Sequence, residues 1–302
     1  MYHISFVILH YLSFEVTSAC IDSICATYPQ TASAAYHIIV VDNASPNDSY
    51  QQLLQAYHAA PQITLLHSDR NLGFAKGNNL GYRYALETFH SDFVIIANND
   101  TEFLQPSFLQ TMIQTYEKRS CALIGPDILN INGYHQDPYR PHPITDKQLS
   151  RWLRNRRLWL AFLRMDSFLH LSKHISFFQT FYQKHALAGM PLETWKEAAD
   201  NVVLQGACII FTPLFIQSFP SYAFYPGTYM YCEEDILAYL CEKSNLPIFY
   251  TPELQILHKD SASTSLSHTS QWEKDLFLTK NMVDSLKLFR KLRRQKFTDC
   301  QQ

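Results

Sequence analysis

At 302 residues, 47% hydrophobic and 17% charged, the chain is long enough to bury a sizeable core and too apolar to stay disordered over any long stretch. Its formal net charge of −2 excludes a general attraction to nucleic acid or anionic lipid, so any such affinity must come from local clustering. Seven cysteines, odd in number and without a CxxC pair, argue against a disulfide framework or a structural zinc site and suit a reducing compartment.

In chain order, Ile4 to Leu9 reads as a first strand, and Phe14 to Thr27 as a helix packed on it. The N-terminus lacks a basic leader, and no stretch reaches the ~18 apolar residues that span a bilayer, so a cytoplasmic protein without a transmembrane helix is expected. A second strand, His37 to Val41, ends directly at Asp42-Asn43, and Ser45-Pro46 signals a helix carrying Leu53, Leu54 and Tyr57. Strand Ile63 to Leu66 precedes a polar, glycine-containing segment, Asp69 to Asn79, which feeds a helix through Tyr84 and Phe89. Phe93 to Ala97 is a buried strand that breaks off into Asn98-Asn99-Asp100. A helix over 106–118 and a short strand at Ala122 to Ile124 follow. Strands alternating with helices on short connections imply a parallel, doubly wound α/β sheet.

Beyond Gly125-Pro126 the pattern changes. Residues 130–144, rich in Pro, Tyr and His without a period, read as a loop at the edge of a site. From 148 to 184, Trp152, Leu153, Leu158, Trp159, Phe162 and Leu163 alternate with Arg151, Arg154, Arg156, Arg157 and Arg164. Two readings of this basic amphipathic stretch stand side by side: a helix lying on a membrane surface, or one packed on the main domain with solvated arginines. Val202 to Phe211 is a strand interrupted by Gly206, where a backbone can approach a ligand closely. Glu233 to Ser244 is a helix with an acidic first turn, Ile248 to Leu257 a strand stopping at His258, and Trp272 to Arg294 a helix with a basic end.

Three strand ends thus carry polar groups to one edge of the sheet: Asp42-Asn43, Asn98-Asn99-Asp100 and His258. Ligands of open α/β sheets bind outside that edge, where a lone acid can hold a hard cation against a phosphate. Asp100 is the first candidate metal ligand, with a turn residue as its plain alternative. Asp42 suits hydrogen bonding to a base or ribose, or capping the next helix. The segment Arg70 to Asn79 offers two glycines and several amide or basic side chains for a ligand with hydroxyls and phosphates, but has neither GxGxxG nor GxxxxGK[ST] spacing. Glu233-Glu234-Asp235, entered through the aromatic run Phe224 to Cys232, sets three carboxylates in an apolar approach, where one acquires a raised pKa and serves as a base toward a hydroxyl. His258 is read as a metal ligand or phosphate donor, against a purely structural histidine.

Taken together and in this order, Val40 to Ser45, Asn71 to Asn79, Asn98 to Thr101, Glu233 to Asp235 and His258 resemble the inverting glycosyltransferases of the GT-A fold. The chain is similar to the large glycosyltransferase family 2, in the rhamnosyltransferase-like branch that builds bacterial surface polysaccharides. The likeness covers residues 1 to about 128 well and 200 to 285 moderately. It implies a Rossmann-like, mostly parallel twisted sheet flanked by helices, with a helical insertion and a C-terminal helix. The regions expected are a nucleotide-sugar-binding half at 1–128, a loop and basic helical insertion at 129–200, an acceptor and catalytic half at 201–268, and a basic amphipathic helix at 269–302.

The resemblance further implies a UDP- or dTDP-sugar donor, a glycan or lipid-linked glycan acceptor, no nucleic acid, and Mg²⁺ or Mn²⁺. Donor binding falls to Asp42, Asn43, Arg70, Asn71, Gly73, Phe74, Lys76, Asn78, Asn79, Asn98 and Asn99, and the metal to Asp100 with His258. Where the family carries a DxD signature this chain has Asn98-Asn99-Asp100, so the first acid is an amide. Asp235 is the first choice of base, although Glu233 as an extra acid allows Glu233-Glu234 to be aligned equally well with the family's ED pair. The location implied is cytoplasmic, at most peripheral on the inner face of the membrane. Two rivals remain: a sugar- or nucleotide-binding protein of the same fold without turnover, and a nucleotidyltransferase.

Overall fold

A computed structural model describes residues 2–28, 36–169, 193–259 and 271–295. Residues 170–184 of the basic stretch and 260–268 of the third region lie outside the described residues. In chain order the elements are β1 (Ile4–His10), α1 (Phe14–Thr27), β2 (Tyr36–Asp42), α2 (Ser49–Tyr57), β3 (Ile63–His67), α3 (Gly73–Phe89), β4 (Phe93–Asn98), β5 (Thr101–Glu102), α4 (Phe108–Arg119), β6 (Leu123–Asn130), α5 (Asp146–Leu169), β7 (Ala199–Asp200), β8 (Cys208–Phe211), α6 (Pro213–Ser218), α7 (Glu233–Lys243), β9 (Ile248–His258) and α8 (Gln271–Leu292).

The nine strands among the described residues join one sheet in the order β3-β2-β1-β4-β8-β6-β9-β5, with β7 also on β9. The first four are parallel, as the alternating pattern requires. The antiparallel β8 then inserts between β4 and β6, and β9 runs parallel to β6. Two reversals bring β6 and β9 back to the direction of β4, so the carboxyl ends of β2, β4 and β9 share one sheet edge.

Period-two side-chain placement divides the buried residues into two cores. Ile4, Phe6, Ile8, Ile38, Val40, Ile95 and Ile210 pack on one face, with α1 and α4. Val7, Ile39, Val41, Ile96, Ile209 and Phe211 pack on the other, with α3, α7 and the buried stripes of α5 and α8. Near-continuous apolar strands follow from covering both faces.

Several expected boundaries move. The segment read as a polar approach to a helix is helical from Gly73 onward, because its glycines let α3 lie tightly on the sheet: a Cβ on Gly77 would meet Leu9 Cδ1 at 2.5 Å and one on Gly81 would meet Val7 Cγ1 at 2.4 Å. Strand β6 runs to Asn130 instead of ending near Ile124, crossing Pro126 through a register shift between Pro126 and Asp127. Strand β8 is confined to Cys208–Phe211, and 202–206 is irregular except where Val203 bridges Arg140. Helix α5 packs on α8, with Trp272 Nε1 donating to Leu163 O at 3.3 Å. Among the described residues no helix is long and apolar enough to cross a membrane.

Candidate active site

The two-residue strand β5 decides what faces what at the sheet edge. It folds back against the end of β9, pairing Thr101 with His258, and Lys259 N donates to Asp100 O at 2.8 Å. Two residues 158 positions apart are thereby joined, His258 Nε2 lying 3.1 Å from Asp100 Oδ1. The other ring nitrogen, Nδ1, sits 2.7 Å from Gln136 Oε1. With that amide oxygen accepting from Nδ1–H, a neutral ring turns the Nε2 lone pair toward a carboxylate oxygen, and two electron pairs face one another. Such a pair is stable with a proton or a cation between them; the carboxylate oxygen suits Mg²⁺ or Mn²⁺, and the imidazole nitrogen suits Mn²⁺ better than Mg²⁺. The donor set therefore fits a divalent cation, but incompletely: among the described residues no group of three His, Cys, Asp or Glu side chains gathers to hold one, so a ligand's phosphates would have to complete the shell.

The amides flanking Asp100 behave differently from one another. Asn99 is buried and its Nδ2 donates to Thr17 Oγ1 at 3.0 Å, while Thr17 is also held by His10 Nδ1 at 2.7 Å. Asn99 thus ties the strand end to α1 through its amide nitrogen. Asn98 is partly exposed, and its backbone N–H donates to Ala207 O at 2.8 Å, which seats the 205–207 segment beside the β4 tip.

At the far side of the edge, Asp42 is enclosed completely, its side chain 0% exposed. Its carboxylate accepts from Ser45 N at 3.3 Å and lies 2.8 Å from His67 Nδ1. What reaches the surface is His67, whose side chain is 42% exposed and whose ring sits 4.9 Å from that of Tyr50. The expected direct contact between Asp42 and a nucleoside is not available in this arrangement; His67, which sequence reading missed, stands in front of it. Behind Asp42, burial lowers the pKa of His10 to about 4, so this histidine is neutral near pH 7.

The segment Arg70 to Asn79 separates into braces and free groups. Asn43 Oδ1 accepts from Leu72 N at 2.7 Å, and Asn71 Oδ1 accepts from Gly73 N at 2.9 Å and from Tyr229 Oη at 3.0 Å. Gly73, at φ +77°, abuts Tyr229 O so closely that a Cβ would lie 2.2 Å away, and Phe74 N donates to that same oxygen at 2.7 Å. Asn79 is buried and fully engaged, its Nδ2 donating to Phe224 O at 2.6 Å and its Oδ1 accepting from Ala223 N and Phe224 N. Asn78 donates to Phe74 O within the helix, leaving its buried Oδ1 without a partner. Asn43, Asn71 and Asn79 are therefore ties between elements in this structure, where ligand contacts were expected. Arg70 and Lys76 are exposed and make no ion pair with a described residue, so both can meet an anion.

The same ties lead into the acidic helix start. Tyr231 and Cys232 both take positive φ, 75° and 68°, a costly backbone for residues other than glycine, and turn the chain sharply into α7. The three acids then diverge. Asp235 is buried against Arg140, whose Nη2 donates a short bond to its Oδ1; the guanidinium also stacks over Tyr139 at 4.3 Å and Trp152 at 5.4 Å. Burial raises the Asp235 pKa and Arg140 opposes the rise. Glu233 is buried with Oε1 unpartnered, and burial, with the neighbouring Glu234 charge, pushes its pKa up to about 8. Glu234 is partly exposed and also raised by burial, and its carboxylate lies against Gly206, where a Cβ would stand 2.5 Å from Oε1. Ala207, the next residue after Gly206, accepts from Asn98 N, so the Glu234 carboxylate lies against the segment that is bonded to the β4 tip.

Sequence reading missed Arg140, Gln136 and His67; the first two fall in the loop expected at the edge of a site, but no spacing distinguished them there. Gly206 was singled out as a point of close backbone approach, and Glu234 is the group that approaches it.

The family model described as "Glycosyl transferase family 2" matches residues 5–187. The hexosyltransferase Agl10 of low-salt glycan biosynthesis in Haloferax volcanii is 28% identical over 101 residues, 33% of this chain and 31% of that protein. Galactofuranosyltransferase GlfT1 of Mycobacterium tuberculosis is 38% identical over 104 residues, 34% of this chain and 32% of that protein. The matched segment thus spans about a third of each of these relatives. Among solved structures, S. aureus TarS 1–349 in complex with UDP superposes with a TM-score of 0.55 at 12% identity, covering 98% of this chain and 68% of that one. GalNAc-T7 with UDP, GalNAc and Mn²⁺ gives a TM-score of 0.55 at 12% identity over 86% of this chain and 44% of that one. At such identities the likeness is one of fold, and the fold is that of GT-A glycosyltransferases.

Proposed function

This chain belongs to glycosyl transferase family 2, and on that premise we propose that it moves a sugar from a nucleotide-diphospho-sugar to an acceptor hydroxyl, with inversion at the anomeric carbon. The observation that carries this reading is the Asp100–His258 pair, 3.1 Å apart at the carboxyl ends of β4 and β9. UDP complexes of the structural neighbours support a uridine diphosphate donor, and family membership supports a glycan or lipid-linked glycan acceptor in surface-polysaccharide synthesis.

Mg²⁺ or Mn²⁺ would be held by Asp100 and His258, where it supplies charge neutralisation for a departing diphosphate. Around that centre the chain's own groups divide the work. Exposed Arg70 and Lys76 offer positive charge to phosphate oxygens. His67, backed by Asp42 and flanked by Tyr50, faces the nucleoside. Glu234, our choice of base over Asp235, takes the proton of the acceptor hydroxyl as its oxygen bonds to the anomeric carbon and the bond to diphosphate breaks. Asp235 is neutralised by Arg140 and Glu233 is shut in, whereas Glu234 lies against Gly206, whose neighbour Ala207 accepts from Asn98 N. Arg140 keeps Asp235 from adding a second free negative charge beside the base.

The test is incubation with a panel of UDP- and dTDP-sugars plus glycan acceptors, following nucleoside diphosphate release. Release that requires a divalent cation and fails in Asp100→Ala is expected. Release of pyrophosphate instead would identify a nucleotidyltransferase, and nucleotide binding without release across the panel would favour a binding protein.

A further inference from the structure

Helix α5 carries a charge distribution that the transfer reaction does not use. Over its length, 146–169, it holds Lys147, Arg151, Arg154, Arg156, Arg157 and Arg164 against two acids, Asp146 and Asp166, in a chain whose net charge is −2. Asp146 is taken by Arg293 of α8 at 2.9 Å. Arg151, Arg154, Arg156 and Arg157 are exposed and make no hydrogen bond or ion pair with a described residue. One outward stripe of the helix runs Lys147, Arg151, Arg154, Leu158, Ala161, Met165, at spacings of four and three. It is basic in its first half and apolar in its second, where Leu158 is 66% and Met165 52% exposed. Beside it, Ser150, Leu153, Arg154, Arg157, Leu158 and Arg290 line an open groove of about 300 Å³ between α5 and α8.

We infer that this α5–α8 face docks the chain on an anionic phospholipid bilayer. Arg154, Arg157 and Arg290 converge on one concavity, and guanidinium groups bind phosphate through paired N–H donors. Leu158 and Met165 then enter the headgroup layer, as the apolar side chains of interfacial helices do. Charge complementarity selects an anionic partner, and the two exposed apolar residues select a bilayer over a nucleic acid, which offers them nothing to enter. The docking face lies next to the catalytic side: Trp152, one residue before Leu153, packs on the Arg140 that holds Asp235. A membrane-borne acceptor would therefore be delivered close to Glu234. The docking itself does not depend on the proposed transfer reaction.

Co-sedimentation of the full chain with vesicles of phosphatidylcholine alone, or with 30% phosphatidylglycerol added, tests the inference without any sugar donor. Binding to the anionic vesicles only, weakened as salt rises, is expected. Replacing Arg154, Arg157 and Arg290 by Gln together should weaken it on the order of a hundredfold. The pair Leu158→Gln and Met165→Gln should weaken it at unchanged charge, and unaltered thermal melting will show that both variants fold. Equal partitioning of wild type to neutral and anionic vesicles overturns the proposal. So does binding that both sets of substitutions leave intact, or capture by a duplex oligonucleotide that strips the protein from vesicles and is indifferent to Leu158 and Met165.

Discussion

Three neighbouring carboxylates acquire three different characters from what each one touches. Asp235 meets a guanidinium, Glu233 is buried with one oxygen unpaired, and Glu234 meets the Gly206 backbone at a partly open position. Replacing Glu234 by Gln should lower kcat by ~10² to 10⁴ with nucleotide affinity nearly unchanged, because a base acts on the proton in flight and not on the bound donor. Steady-state kinetics beside calorimetric titration with UDP reads both quantities, and an unimpaired kcat would return the role to Asp235. Glu233 gives a stability signature. Its carboxyl holds a proton up to about pH 8 in the fold against an ordinary value of 4.5. Between those values the native state binds a proton that the unfolded chain has released, so this group's contribution is full below pH 4.5 and is lost as pH rises toward 8. Thermal melts of Glu233→Gln from pH 5 to 9 should therefore decline less steeply with pH than those of the wild type. Parallel curves would show that Glu233 is already ionised in the fold.

At the scale of elements, α3 is the piece whose boundary and role were hardest to read. Three glycines and two asparagines in Gly73 to Gly81 are poor helix formers, so local propensity argues for a loop. Tertiary contact overrides it, since only residues without a Cβ let this helix press onto Leu9, Val7 and Tyr229. Asn79 then fastens α3 to residues 223–224 through three hydrogen bonds. Asn79→Ala should cost about 3 kcal/mol, since it removes those bonds and leaves buried backbone groups unpaired. Chemical denaturation measures the loss, and a change under 1 kcal/mol would mean that water replaces the amide there. The β5–β9 pairing was equally illegible, because a two-residue strand has no period, yet it is what joins Asp100 to His258.

For the molecule as a whole, the candidate site is assembled from both halves of one sheet, so a ligand that bridges them should stabilise all of it. UDP with Mn²⁺ at a hundred times its Kd should add about 2.7 kcal/mol, or ~5 °C in Tm. Asp100→Ala should keep a small shift from UDP alone and lose the increment that Mn²⁺ brings. Differential scanning fluorimetry with the four combinations of nucleotide and metal distinguishes these outcomes. A metal-dependent shift surviving in Asp100→Ala would place the cation elsewhere.

The amino-acid order by itself determined the alternation of strand and helix, the family, and the convergence of Asp42, Asp100 and His258 on one sheet edge. These are repetitive or motif-borne signals, fixed by apolar periodicity and by where each strand stops. Tertiary structure alone decided that Asp42 stands behind His67, that Asn79 and Asn99 are ties, and that Arg140 bonds Asp235 while Glu234 meets the Gly206 backbone. Each of those outcomes depends on which distant side chain fills a polar group's hydrogen-bonding valence. Partners 25 to 145 residues apart leave no periodic trace along the chain.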